Sequence, residues 1–89
     1  MNRKIEAIVG LNIRSERIRN KMTQEILAAK LQLRGCDISR SAVAKIEAGQ
    51  RHVYPDELIV LIDILKTDFD TLLHVENVEM LYQQDQRYY

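Results

Sequence analysis

The chain is short of the residues that punctuate a fold. Glycine occurs three times and proline once, too few turn formers for an architecture of many short strands. Leu, Ile, Ala, Glu, Gln, Lys and Arg predominate instead, and these favour helix. An all-α fold is expected. A single cysteine, Cys36, excludes an internal disulfide, and it has no resolving partner for redox work. His52 and His74 have no Cys or His at ligand spacing, so no metal site is expected. Long apolar runs are also missing: the longest, Leu58 to Ile62, is closed by Asp63. The first thirty residues carry Arg3, Lys4, Arg14, Arg17 and Arg19 and no apolar stretch of leader length. Neither a membrane span nor a secretory signal is expected, and the expected compartment is the cytosol.

Net charge is absent too, since 13 basic residues balance 13 acidic ones. Taken alone, that balance argues against a nucleic-acid partner, but the sum conceals a division along the chain. Residues 1 to 45 hold ten Lys/Arg against four Asp/Glu, whereas residues 46 to 89 hold three against nine. What remains is 89 residues at 46% hydrophobic content, enough for one domain with one modest core.

Helical periodicity organises that core. Ile5, Ile8 and Val9 are weakly periodic and Gly10 interrupts them, so residues 1–9 read as a short helical turn or a loose arm. A first full helix is predicted over 11–20, with Ile13 and Ile18 among Arg14, Glu16, Arg17 and Arg19. Thr23 can cap a second helix that buries Leu27, Ala28 and Leu31. Gln32 to Ile38 reads as a connection. Ser39 caps a third helix, with Val43 and Ile46 inward and Gly49 as its stop. After a loop from Gln50 to Tyr54, Pro55, Asp56 and Glu57 suit the first turn of a fourth helix ending at Lys66. Its Leu58, Leu61, Ile62 and Leu65 mark one apolar face, and Ile59, Val60 and Ile64 imply a second. Thr67 and Asp70 resemble a capping box for a short fifth helix containing Phe69, Leu72 and Leu73. Residues 74–89 read as a tail.

The third helix carries the chemistry. With Val43 and Ile46 buried, Arg40, Ser41, Ala44 and Lys45 share the opposite side. Arg and Lys can donate to guanine O6 and N7, Ser to several base edges, and the Ala44 methyl can meet a thymine methyl. No comparable case exists for catalysis: Ser39 or Ser41 with His52 lacks a nucleophile elbow, and there is no Gly-rich phosphate loop or carboxylate pair. No enzyme activity and no cofactor are expected.

Ile13-Arg14, Arg17 to Met22, Thr23-Gln24-Glu25, Leu27-Ala28, Ser39 to Glu47, Gly49 and Leu58 to Leu73 together resemble the lambda-repressor-like helix-turn-helix family of Cro/C1 or xenobiotic-response-element type. The resemblance covers residues 10–73 and implies a compact five-helix domain whose second and third helices form the motif. It implies base contacts from Arg40, Ser41 and Lys45, to which the helical spacing adds Ala44. It implies backbone contacts from Gln24, Thr23, Ser39, Arg51 and His52, and an ion pair between Arg17 and Glu47. The sequence departs from the family pattern at Leu33 to Asp37, which reads as an insertion, with Gln32 in place of the usual turn glycine. A longer turn bears on the angle between the two helices. The implied partner is double-stranded DNA, bound by a bacterial or phage regulator, a repressor, acting as a homodimer on a two-fold operator. Two alternatives stay open: an antitoxin whose tail after Val75 holds a protein partner, and a protein-binding module that keeps the fold without DNA.

Overall fold

The computed structural model describes residues 3–74, and these form five helices and no strand: α1 (Arg3–Arg19), α2 (Gln24–Leu33), α3 (Arg40–Glu47), α4 (Pro55–Leu65) and α5 (Phe69–Leu72). The expected all-α class holds. The predicted tail, residues 74–89, lies outside the described residues except for His74.

α1 differs from expectation. It is one helix of 17 residues that passes through Gly10 without a break, so residues 3–9 of the arm or separate turn expected over 1–9 are the helix's first half. A mid-helix glycine costs about 1 kcal/mol against alanine. The position tolerates nothing larger, because a Cβ on Gly10 would lie 2.2 Å from the Ile46 carbonyl oxygen of α3. Tertiary packing has overridden local propensity. Val9, Gly10, Ile13 and Arg17 form the buried stripe of α1, opposite the exposed Leu11 and Ile18.

Four helices stop in the same way. The backbone enters the left-handed region at Lys21, Gly35, Gly49 and Lys66. Paired amide bonds then close each end: Met22 to Arg17 and Lys21 to Ile18, Cys36 to Leu31 and Gly35 to Gln32, Gln50 to Lys45 and Gly49 to Ile46, Thr67 to Ile62 and Lys66 to Asp63. This is the Schellman arrangement, which satisfies carbonyls orphaned at a helix end. Glycine adopts it freely, whereas the two lysines bear a steric penalty. Starts are equally explicit. Thr23 Oγ1 accepts from the Ile26 amide, Ser39 Oγ from Ala42 and Asp68 Oδ1 from Thr71, so Asp68, not Thr67, caps α5. Pro55 opens α4 and Glu57 reaches back to accept from the Tyr54 amide.

The connection between α2 and α3 begins two residues later than expected, because Gln32 and Leu33 continue α2. The remaining loop is pinned at both ends. Ile38 is fully buried in the core, its carbonyl accepts from Gln32 Nε2, and its amide donates to the Cys36 carbonyl at 2.8 Å. α3 packs against α1 and α2, α5 against α1, and α4 against α2. Ile13, Leu27, Leu31, Ile38, Val43, Ile46, Leu61, Leu65 and Leu72 meet in one core. α4 contributes less to it than its sequence suggests: Leu61 and Leu65 are buried, Leu58, Val60, Ile62 and Ile64 are half-buried, and Ile59 is 59% exposed.

Candidate nucleic-acid interface

α3 is an eight-residue helix that buries Val43, Ile46 and Glu47. Arg40, Ser41 and Lys45 are exposed and Ala44 half-exposed, so the four share one outward side. Its start is clean, since the Ser39 hydroxyl takes one of the free amides of the first turn. Thr23 does the same for α2, which leaves both helix starts ordered and both hydroxyl oxygens at the surface.

Beneath α3 lies an ionic network. Arg17 Nε donates to Glu47 Oε2 at 2.7 Å and Arg17 Nη2 to Glu47 Oε1 at 3.0 Å, with side-chain exposures of 10% and 4%. Gln24 Nε2 donates to the same Oε1 at 3.0 Å, and Arg17 Nη1 to the Met22 carbonyl at 2.8 Å. One carboxylate thus joins the end of α1, the start of α2 and the end of α3. A bidentate guanidinium suits that task because its fork is planar and permanently charged. Gln24 donates one of its two amide hydrogens to Glu47.

Arg51 and His52, taken from sequence as backbone-contacting residues, are engaged within the protein. Arg51 Nη1 and Nη2 each donate to Glu57 at 3.1 Å, and Nη1 also donates to the His52 carbonyl. The guanidinium hydrogen bonds hold the Glu57 carboxyl below its ordinary range against the opposing effect of burial. His52 Nδ1 meets Glu6 Oε1 of α1. Both side chains are therefore directed at acids of α4 and α1, partners that a loop sequence does not disclose.

Other cations have structural work that sequence reasoning missed. Arg19 binds Glu16 and donates to the Leu65 and Lys66 carbonyls, and Asn20 Nδ2 donates to Leu65 at 2.8 Å. Together they close the C-terminal end of α4. Asn12 does likewise for α5 through the Leu72 and His74 carbonyls. Arg34 pairs with Asp63 at 2.5 Å, tying the long turn to α4. Arg17, Arg19, Arg34 and Arg51 thus each meet a carboxylate. Arg40 and Lys45 meet none among the described residues.

Two helices joined by a pinned turn, with the second seated on its neighbours and its outer face cationic, define a DNA-binding helix-turn-helix domain. The chain matches the Helix-turn-helix family over residues 13–72 and belongs to it; the family is one of DNA-binding transcriptional regulators. A comparison with curated proteins found no match, and neither did one with solved structures. No described helix is long and apolar enough to cross a membrane, and no cluster of metal-ligating side chains occurs among the described residues.

Proposed function

We propose that this chain is a sequence-specific repressor of bacterial or phage type that works in the cytosol and lays α3 in the major groove of an operator. The observation that carries the reading is the placement of Arg40 and Lys45 together on the outward side of α3, where neither meets an acid among the described residues and the neighbouring Ser41 and Ala44 are small. Small neighbours allow close approach to base edges, and unpaired donors avoid the cost of breaking an internal bond on binding. Gln24, Thr23 and Ser39 then face phosphates on either side, while Arg51 and His52 contribute only by partly leaving Glu57 and Glu6.

The protein acts as a homodimer whose two copies of α3 address half-sites about 34–36 Å apart. Exposed Ile59 on α4, Phe69 on α5 and Leu73 just beyond it, which are 59%, 48% and 45% exposed, support this part of the reading, as does the acidic composition of the chain after α3, which suits a surface away from phosphate.

Selection from random duplexes tests the proposal. The parent chain should enrich a two-fold motif with salt-dependent affinity, and Arg40→Ala should relax preference at one base pair. No enrichment, or equal loss on every sequence for Arg40→Ala, would refute it. Sedimentation equilibrium at high concentration without DNA tests the dimer separately.

A further inference from the structure

We infer that Gly10 is a positioning residue for the DNA-reading helix: its missing side chain lets the last carbonyls of α3 rest directly on α1, and this seat sets the direction in which Arg40, Ser41, Ala44 and Lys45 leave the protein. The inference rests on the reading of α3 given above and adds the part that aims it.

The contact is backbone against backbone. A Cβ at Gly10 would lie 2.2 Å from the Ile46 carbonyl oxygen and 2.9 Å from that of Glu47, and neither oxygen can rotate aside as a flexible side chain could. In their place the Gly10 Cα–H groups face those oxygens, the arrangement of a weak C–H to O contact. A second contact lies three residues earlier on the same stripe of α1. Gly49, at φ +73, would with a side chain come within 2.8 Å of the Ala7 Cα. The third is the Arg17 guanidinium on Glu47, seven residues beyond Gly10. Ala7, Gly10 and Arg17 therefore hold the C-terminal end of α3 at three heights along α1, which fixes its tilt as well as its position.

Tilt matters because Arg40 lies at the opposite end of the helix. Seven residues at 1.5 Å rise place it about 10 Å from Glu47, so a displacement at the seat is carried to the base-reading side chains. At its other end α3 is held by Val43 in the apolar core and by Ile38 just ahead of its cap, so the direction of the helix is set between that anchor and the seat on α1.

The test compares Gly10→Ala with Ala7→Val, which adds bulk under Gly49, and with Leu72→Ala, which opens a cavity in α5 away from α3. Probes are the duplexes enriched by the parent chain, titrated at a temperature where circular dichroism shows each variant folded. Gly10→Ala is expected to bind the parent site about ten- to hundredfold more weakly, the scale of one bidentate base contact. Its preference should change at the base pairs read by Arg40 and Lys45, with the salt dependence unchanged. Ala7→Val should alter the same base pairs to a smaller degree, and it carries the comparison if Gly10→Ala does not fold. Leu72→Ala should melt earlier yet keep the parent preference. Parent preference in Gly10→Ala and Ala7→Val overturns the seat alone, and so does an equal change in Leu72→Ala. A parent chain that enriches no duplex overturns the DNA reading and the inference with it.

Discussion

Arg17 and Arg40 are the same residue on opposite sides of one helix. Beneath α3, the Arg17 guanidinium is almost wholly buried and both oxygens of Glu47 are committed to it; above α3, Arg40 is exposed and meets no acid among the described residues. The contrast shows that residue type alone assigns no task to a cation. A paired guanidinium orients helices, and an unpaired one is available to a ligand.

Breaking the inner pair should have the largest effect. Glu47→Ala leaves Arg17 charged, buried and unpaired, and is expected to cost about 3–5 kcal/mol of folding free energy in urea denaturation. A loss below about 1 kcal/mol would mean that water or the Met22 carbonyl can replace the carboxylate. The outer side should respond in the opposite sense. Arg40→Ala is expected to leave stability within about 0.5 kcal/mol of the parent, while weakening operator binding by about 1–3 kcal/mol at one base pair. Gln24→Ala sits between the two, because Gln24 touches Glu47 and stands at the start of α2; it should weaken binding to all duplexes evenly.

Glu57→Gln sharpens the comparison by converting an engaged arginine into a free one. Released from Glu57, Arg51 should steepen the salt dependence of DNA binding by about one counterion. The same variant has a pH signature. Because hydrogen bonding to Arg51 lowers the Glu57 carboxyl from its ordinary 4.5, the unfolded chain takes up this proton first as pH falls. The stabilisation is thus complete above the unfolded pKa and disappears as pH drops through the lower folded one. Thermal melts from pH 7 to pH 3 should show a shallower acid decline in Glu57→Gln than in the parent. Glu16, lowered by its hydrogen bond to Arg19, contributes in the same direction. The smallest effect is expected at the helix stops: Lys21→Gly or Lys66→Gly should raise stability by about 0.5–1 kcal/mol, because glycine enters the left-handed region without the steric penalty.

What the sequence disclosed follows from the range of each interaction. Leu27, Ala28 and Leu31, Val43 and Ile46, the caps at Thr23 and Ser39, and Pro55 at the start of α4 are local patterns, and the helices form where they stand. Gly10 misleads because its explanation is a carbonyl on a different helix, 36 residues further along the chain. Gln32 and Leu33 read as loop residues until the Gly35 stop is recognised as the true end of α2. Thr67 and Asp68 both suit a cap, and only geometry separates them. At the interface, the outward side of α3 follows from helical spacing, but the acids that occupy Arg51 and His52 lie on other elements and leave no trace in the loop that carries them.

The anchorage of Ile38 gives the long turn a further property. The chain is fixed in the interior one residue before Ser39 and closed against Gln32 behind it, and Arg34 to Cys36 are tied to α4 and to the end of α2, so the bight between the helices is free to change only around Asp37. Such a bight is a natural splice point. A residue inserted beside Asp37 is expected to loop outward and leave the direction of the helix that follows unchanged, because Ile38 stays seated in the core.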